Sequence, residues 1–96
     1  RLTKSFLLTP QRLVDDWPPA SFDLLTVTDL LAIAELDSPI VLFGTGKRQR
    51  FPAPSLLRPL LDRRVGVEIM DSQAACRTYN ILMAEERRVA AALLLK

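Results

Sequence analysis

The sequence predicts an α/β layered domain, and three observations carry that prediction. The apolar run Ile40 to Phe43 is short and rich in branched side chains, as a strand buried on both faces requires. Ala74 to Glu86 is dominated by helix formers, with small residues early and Ile81, Leu82 and Met83 later. Segments of strand and helix character alternate along the chain in the order β, β, α, β, α, β, α, ahead of a last apolar stretch, Val89 to Leu95.

Taken in order, Ser5 to Thr9 and Arg12 to Trp17 read as two short strands or extended segments, divided by Pro10 and stopped by Pro18-Pro19. Thr28 with Asp29 offers an N-cap and a first-turn acid for a helix carrying Leu30, Leu31, Ile33, Ala34 and Leu36, which Asp37-Ser38-Pro39 ends. The strand Ile40 to Phe43 stops at Gly44. Phe51 to Pro54 is extended, and Ser55 to Arg64 then reads as a helix with Leu56, Leu57, Leu60 and Leu61 on one face. Pro59 should either kink that helix or mark its true start, because an interior proline removes a backbone bond at about 3 kcal/mol. Gly66 breaks the chain, Val67 to Met70 reads as a strand with Glu68 its one polar member, and Asp71 or Ser72 caps the long helix. On periodicity alone, Val89 to Leu95 fits a helical extension and a closing strand equally.

Composition excludes more than it assigns. The chain has 96 residues, 49% of them hydrophobic, no histidine and one cysteine, so no Ser-His-Asp triad, Cys-His dyad, His-ligated metal or Cys/His zinc site can be built from it. The net charge of +2 is not a nucleic-acid signature, since the densest basic run is only Lys47, Arg48 and Arg50, which reads as a solvated loop. The longest apolar stretch, Val89 to Leu95, is far short of the ~20 residues that a membrane helix needs. One cysteine cannot close an intramolecular disulfide and suits a reducing, cytoplasmic setting.

Two places carry polar chemistry. Gly44-Thr45-Gly46 follows the buried strand, where backbone amides could approach an anion, but a third glycine is missing where Gln49 stands and no Gly-Lys-Ser/Thr follows. A tight turn competes with that reading. Arg77, Thr78, Tyr79 and Asn80 interrupt the long helix; Arg77 and Asn80 lie three apart on one face, and Asp71 precedes them. They read either as a structural ion pair with packed neighbours or as a recognition surface. Cys76, after two alanines, reads as buried and inert. Asp15-Asp16 and Glu85-Glu86 are sequence neighbours whose side chains diverge, so neither is an acid/base or magnesium pair.

Gly44-Thr45-Gly46, the stretch from Gly66 to Asp71 running into Ala74 to Leu82, Phe51-Pro52 with Leu56-Leu57, and the ending Glu85 to Leu93 together resemble a bacterial member of domain-of-unknown-function family 498. That family includes mitochondrial complex I assembly factor 3 and the adipogenesis-associated domain protein. The resemblance implies a three-layer α/β fold with a mixed central sheet, helices packed on it and an additional β segment at the N-terminal side, with Val89 to Leu95 as a closing strand. The family's signature residues fall here at Gly44, Thr45, Gly46, Asp71, Arg77, Thr78, Tyr79 and Asn80. Pro59 and Glu86 depart from its pattern, the second replacing a glycine. Family members carry further residues before Phe6, and this chain opens at Arg1 without methionine, so residues 1–96 are expected to form one domain lacking some N-terminal residues.

The resemblance and the missing catalytic residues point to a non-catalytic adaptor or assembly factor that binds another protein, in respiratory-complex or membrane-protein biogenesis. The residues leave open a small-ligand or anion-binding domain, or a weak enzyme, using the Gly44-Thr45-Gly46 loop with Arg77 and Asn80. Neither expectation involves a cofactor, a metal, nucleic acid or a membrane span. An apolar strand at an exposed sheet edge would favour a homodimer.

Overall fold

The computed structural model describes residues 4–95; Arg1, on which the expectation of missing upstream residues turns, lies outside them. A hairpin of β1 (Phe6–Thr9) and β2 (Arg12–Val14) leads through a short 3-10 turn (Phe22–Leu24) to α1 (Val27–Ala34), β3 (Ile40–Thr45), α2 (Pro54–Asp62), β4 (Gly66–Met70), α3 (Ser72–Ala84) and β5 (Ala90–Leu94). This is the predicted order. The strands form one sheet in the order β2-β1-β5-β3-β4. β3 pairs in parallel with β4 and β5, whereas β1 is antiparallel to both β2 and β5, so the sheet is mixed.

Chain direction explains the layers. From β3 the chain crosses outward to β4 through α2, and from β4 it crosses back over β3 to β5 through α3; two right-handed crossovers in opposite directions put their helices on opposite faces. The cores agree. Val41, Phe43, Ala90, Ala92 and Leu94 pack on one face with Leu30, Ile33 and Leu60 of α1 and α2, while Leu42, Ala91 and Leu93 pack on the other with Ala75 and Tyr79 of α3. The unbroken apolar runs of β3 and β5 therefore have a physical cause, because successive side chains enter different cores.

Several boundaries differ from expectation. Gly44 does not stop β3, which continues to Thr45, and Gly66 opens β4 rather than breaking the chain. The α1 N-cap is Thr26, not Thr28: its hydroxyl accepts from the Asp29 N–H (3.3 Å) and the Asp29 carboxylate accepts from the Thr26 N–H (2.9 Å), a capping box. α2 starts with Pro54 and runs through Pro59, so the helix does not begin at Pro59; Pro54 fits the first turn, where its missing N–H has no partner to lose. α3 begins two residues before Ala74, capped by Asp71. β2 ends at Val14, and Trp17 turns into the core, where its indole N–H donates to Asp29 O (3.1 Å) and its ring meets Phe43 edge-on at 6.3 Å. Val89 to Leu95 resolves into β5, from Ala90 to Leu94.

Each helix is followed by a non-glycine residue with positive φ: Asp37 (55°), Arg64 (57°) and Glu86 (59°). Such left-handed ends usually carry glycine. Arg64→Gly should therefore stabilise the protein by roughly 0.5–1 kcal/mol, after subtracting the greater unfolded-state freedom of glycine. A thermal melt should show that as a rise of about 4 °C in Tm.

Candidate functional site

Four of the signature residues, Gly44, Thr45, Gly46 and Asp71, lie where β3 ends and α3 begins. Ser72 donates its N–H to Gly46 O (2.8 Å), and its hydroxyl accepts from the Gly46 N–H (2.9 Å) while donating to Leu94 O of β5. The first turn of α3 thus sits directly on the carboxyl ends of β3 and β5. Gly44 makes this approach feasible: a Cβ there would lie 2.8 Å from Ser72 Cα and from Leu93 Cδ2. Gly46, at φ 102°, supplies the turn that follows. Thr45 is buried, its hydroxyl donating to Arg48 O (2.6 Å), with Met70 O at 3.2 Å, and accepting from the Arg50 N–H (3.0 Å).

These bonds use two of the amides, those of Gly46 and Arg50, that an anion loop would offer. The Gly46 amide is committed to Ser72, and the Asp71 carboxylate accepts from the Ala74 N–H (2.9 Å) as the N-cap. Gln49, where a dinucleotide loop would need glycine, donates its amide to Ile69 O of β4 (2.9 Å). The expected solvated basic loop is split. Lys47 and Arg48 are exposed, whereas Arg50 pairs with Asp23 (2.8 Å) and lies 4.2 Å over the Phe22 ring.

Helical phase separates the remaining candidates. Ala75 and Tyr79 face the sheet and Thr78 is half-buried, while Arg77 and Asn80 are exposed. At about 100° per residue, Arg77 stands roughly 140° around the helix from Ser72. It cannot join the loop that Ser72 holds. No hydrogen bond or ion pair ties Arg77 to another described residue, so the expected pairing with Asp71 is absent among them. Cys76 is exposed, contrary to expectation. Beside Arg77 and Asn80 stands Ile81, 60% exposed on the same outward side. Sequence reasoning treated Ser72 only as an alternative cap and did not single out Ile81. An apolar residue four after Arg77 was the available signal.

Tyr79 is 4% exposed and its hydroxyl has no partner among the described residues. Burial disfavours the phenolate and raises the pKa of this tyrosine above 10.0.

A five-stranded mixed sheet between one helix and two, with α3 clasped to the strand ends by a serine, defines a small α/β protein. The chain belongs to the family described as "Protein of unknown function (DUF498/DUF598)", which matches residues 1–94. It is 36% identical over 89 residues to the bovine "NADH dehydrogenase [ubiquinone] 1 alpha subcomplex assembly factor 3", covering 91% of this chain and 48% of that protein. The chain therefore spans about half the length of that relative. A crystal structure from Bordetella parapertussis superposes with a TM-score of 0.91 at 45% identity, covering 100% of this chain and 82% of the other. A solution structure from Bordetella pertussis, described as a Mth938-like domain, gives 0.85 at 37% identity over 98% of this chain and 75% of that one.

Gly44→Ala should lower stability by about 1–3 kcal/mol, because the contact at 2.8 Å is with backbone and cannot be relieved by turning a side chain. Urea unfolding measures it. Tyr79→Phe should preserve or raise stability, since it removes a buried hydroxyl that has no partner. The pH dependence has a definite sign. With a folded pKa above 10.0, the folded state keeps the tyrosine proton after the unfolded chain has lost it, so stability is full below about pH 10 and falls as pH rises through the folded pKa. Melts from neutral to strongly alkaline pH should show this decline in the parent and a smaller one in Tyr79→Phe.

Proposed function

We propose that the protein is a non-catalytic adaptor that binds another protein, in the manner of an assembly factor, and that it does so through the outer face of α3. One observation carries this reading: Arg77 and Asn80 point outward beside exposed Ile81, on a helix whose inner face and first turn are fixed by Tyr79, Ala75 and Ser72. Arginine with an apolar neighbour on a rigid helix is the composition of an interface anchor, where a few residues carry most of the binding energy. The bovine relative's name, which describes an assembly factor for NADH dehydrogenase, supports a protein partner in respiratory-complex or membrane-protein biogenesis. The bacterial sources of the solved relatives and the single free cysteine support a bacterial, cytoplasmic setting.

The candidate residues then divide by role. Gly44, Thr45, Gly46, Asp71 and Tyr79 hold α3 in place, and Arg77 and Asn80 engage the partner, with half-buried Thr78 on the flank of the helix. Committed amides in the loop count against its use as an anion site. On the opposite layer, Leu24, Val27 and Leu31 leave a second exposed apolar run around α1, which serves as the comparison surface.

Purification of tagged protein from its native cells, with identified partners quantified, tests the reading. Arg77→Ala and Ile81→Asp should each reduce partner recovery by about tenfold or more, equivalent to 1.4 kcal/mol. Both should leave Tm within about 2–4 °C of the parent, because each changes an exposed side chain. Loss of partner in Leu31→Asp but not in the α3 variants would overturn the assignment, as would a large fall in the Tm of Arg77→Ala.

A further inference from the structure

The other end of the sheet holds a cavity that the adaptor reading does not use. Its volume is about 430 Å³, within the roughly 300–1,000 Å³ typical of small-molecule sites. Three connections enclose it: the β1–β2 turn (Thr9, Pro10, Gln11), the segment leaving α1 (Leu36, Asp37, Ser38) and the segment from α3 to β5 (Met83 and Glu86 to Val89). Apolar surface comes from Pro10, Leu36 and Met83, above the buried Val89. Charge comes in both signs, from Arg87, Arg88, Asp37 and Glu86.

Three features set these charges apart from an ordinary solvated rim. No ion pair joins the acidic and basic side chains among the described residues, although all four line one cavity. Arg88 is instead fixed to the backbone, donating to Asp37 O (3.1 Å) and closing the wall between α1 and β5. Asp37 and Glu86 also hold two of the three left-handed non-glycine positions, where glycine would sit with less strain. Unpaired surface charge alone would mean little, because an exposed ion pair is worth under about 1 kcal/mol. All three left-handed positions end a helix, and two of the three place a carboxylate at the rim of this cavity.

We propose that this cavity binds a small zwitterion with an apolar side chain, of the α-amino acid type. Arg87 receives the carboxylate, Asp37 and Glu86 the ammonium group, and Pro10, Leu36 and Met83 the side chain. Guanidinium and carboxylate match carboxylate and ammonium in charge and hydrogen-bonding sense. A ligand bearing one charge alone leaves half the rim unmatched.

Amide-resolved NMR titration tests this with L-leucine and two analogues that each lack one charge, 4-methylpentanoate and 3-methylbutylamine. L-leucine should shift the amides of Gln11, Ser38 and Arg87 to Val89 saturably, and each analogue should bind at least about tenfold more weakly. Arg87→Ala should weaken leucine binding by a similar factor. Glu86→Gly should weaken leucine binding while raising Tm, a combination that a merely structural Glu86 would not produce. Absence of shifts at about 20 mM leucine, or equal binding of either analogue, would overturn the proposal. So would unchanged leucine affinity in both variants.

Discussion

The arrangement of this fold depends on how closely α3 can approach the sheet, and one residue governs it. Ser72 joins three pieces of chain: its N–H and hydroxyl hold both backbone groups of Gly46 at the end of β3, and the hydroxyl donates onward to Leu94 at the end of β5. Neither bond can form unless the strand beneath has no side chain, which is why Gly44 lies inside β3 and not in a loop. With the first turn fixed, helical geometry leaves the rest of α3 little freedom. Ala75 and Tyr79 must enter the core, and Arg77 and Asn80 must leave it. Which face of α3 looks outward is a consequence of the clasp at the helix start.

The opposite layer is held by polar contacts that cross element boundaries. Trp17 fills space against Phe43 while bonding to the backbone of Asp29, and the side chain of Asp29 closes the capping box at the start of α1. At the far end of α1, Arg63 beyond α2 donates to Ala34 O (3.0 Å), supplying a cation where terminal carbonyls lack helical partners. The Arg50–Asp23 pair ties the approach to α2 back to the turn before α1. Exposed pairs of this kind add little stability, so this contact serves to direct the chain. Leu24 and Phe51, which follow its two members in sequence, are both left well exposed.

Most of the element order was legible in local pattern: a branched apolar run for β3, helix formers for α3, prolines and acids at boundaries; β5, Ala-Ala-Ala-Leu-Leu, was ambiguous by periodicity and followed from the family resemblance. What was not legible depended on contacts distant along the chain. Gly44 read as a terminator because nothing near it reveals that α3 will land on it. Cys76 read as buried because two alanines precede it, yet only Ala75 has the phase to reach the sheet core. The spacing of Arg77 and Asn80 was correctly placed on one face, but spacing cannot say whether that face looks inward. Tyr79 decides that, and its inward position is set by the sheet, not by its neighbours.

The sheet edges carry the last constraint on how the protein meets others. β4 is an edge strand, and a bare edge invites pairing with another chain. Here Gln49 already occupies the Ile69 carbonyl, and Glu68 stands exposed at the middle of the strand. A second copy pairing antiparallel about that midpoint would bring two Glu68 carboxylates face to face, an arrangement that destabilises cross-strand pairs. The other edge, β2, is short, carries exposed Arg12, and leads into exposed Asp15 and Asp16. Both edges are thus poor templates for strand addition, by charge at one and by length and charge at the other. By contrast, Arg77 and Asn80 on the outward face of α3 make no hydrogen bond or ion pair with another described residue.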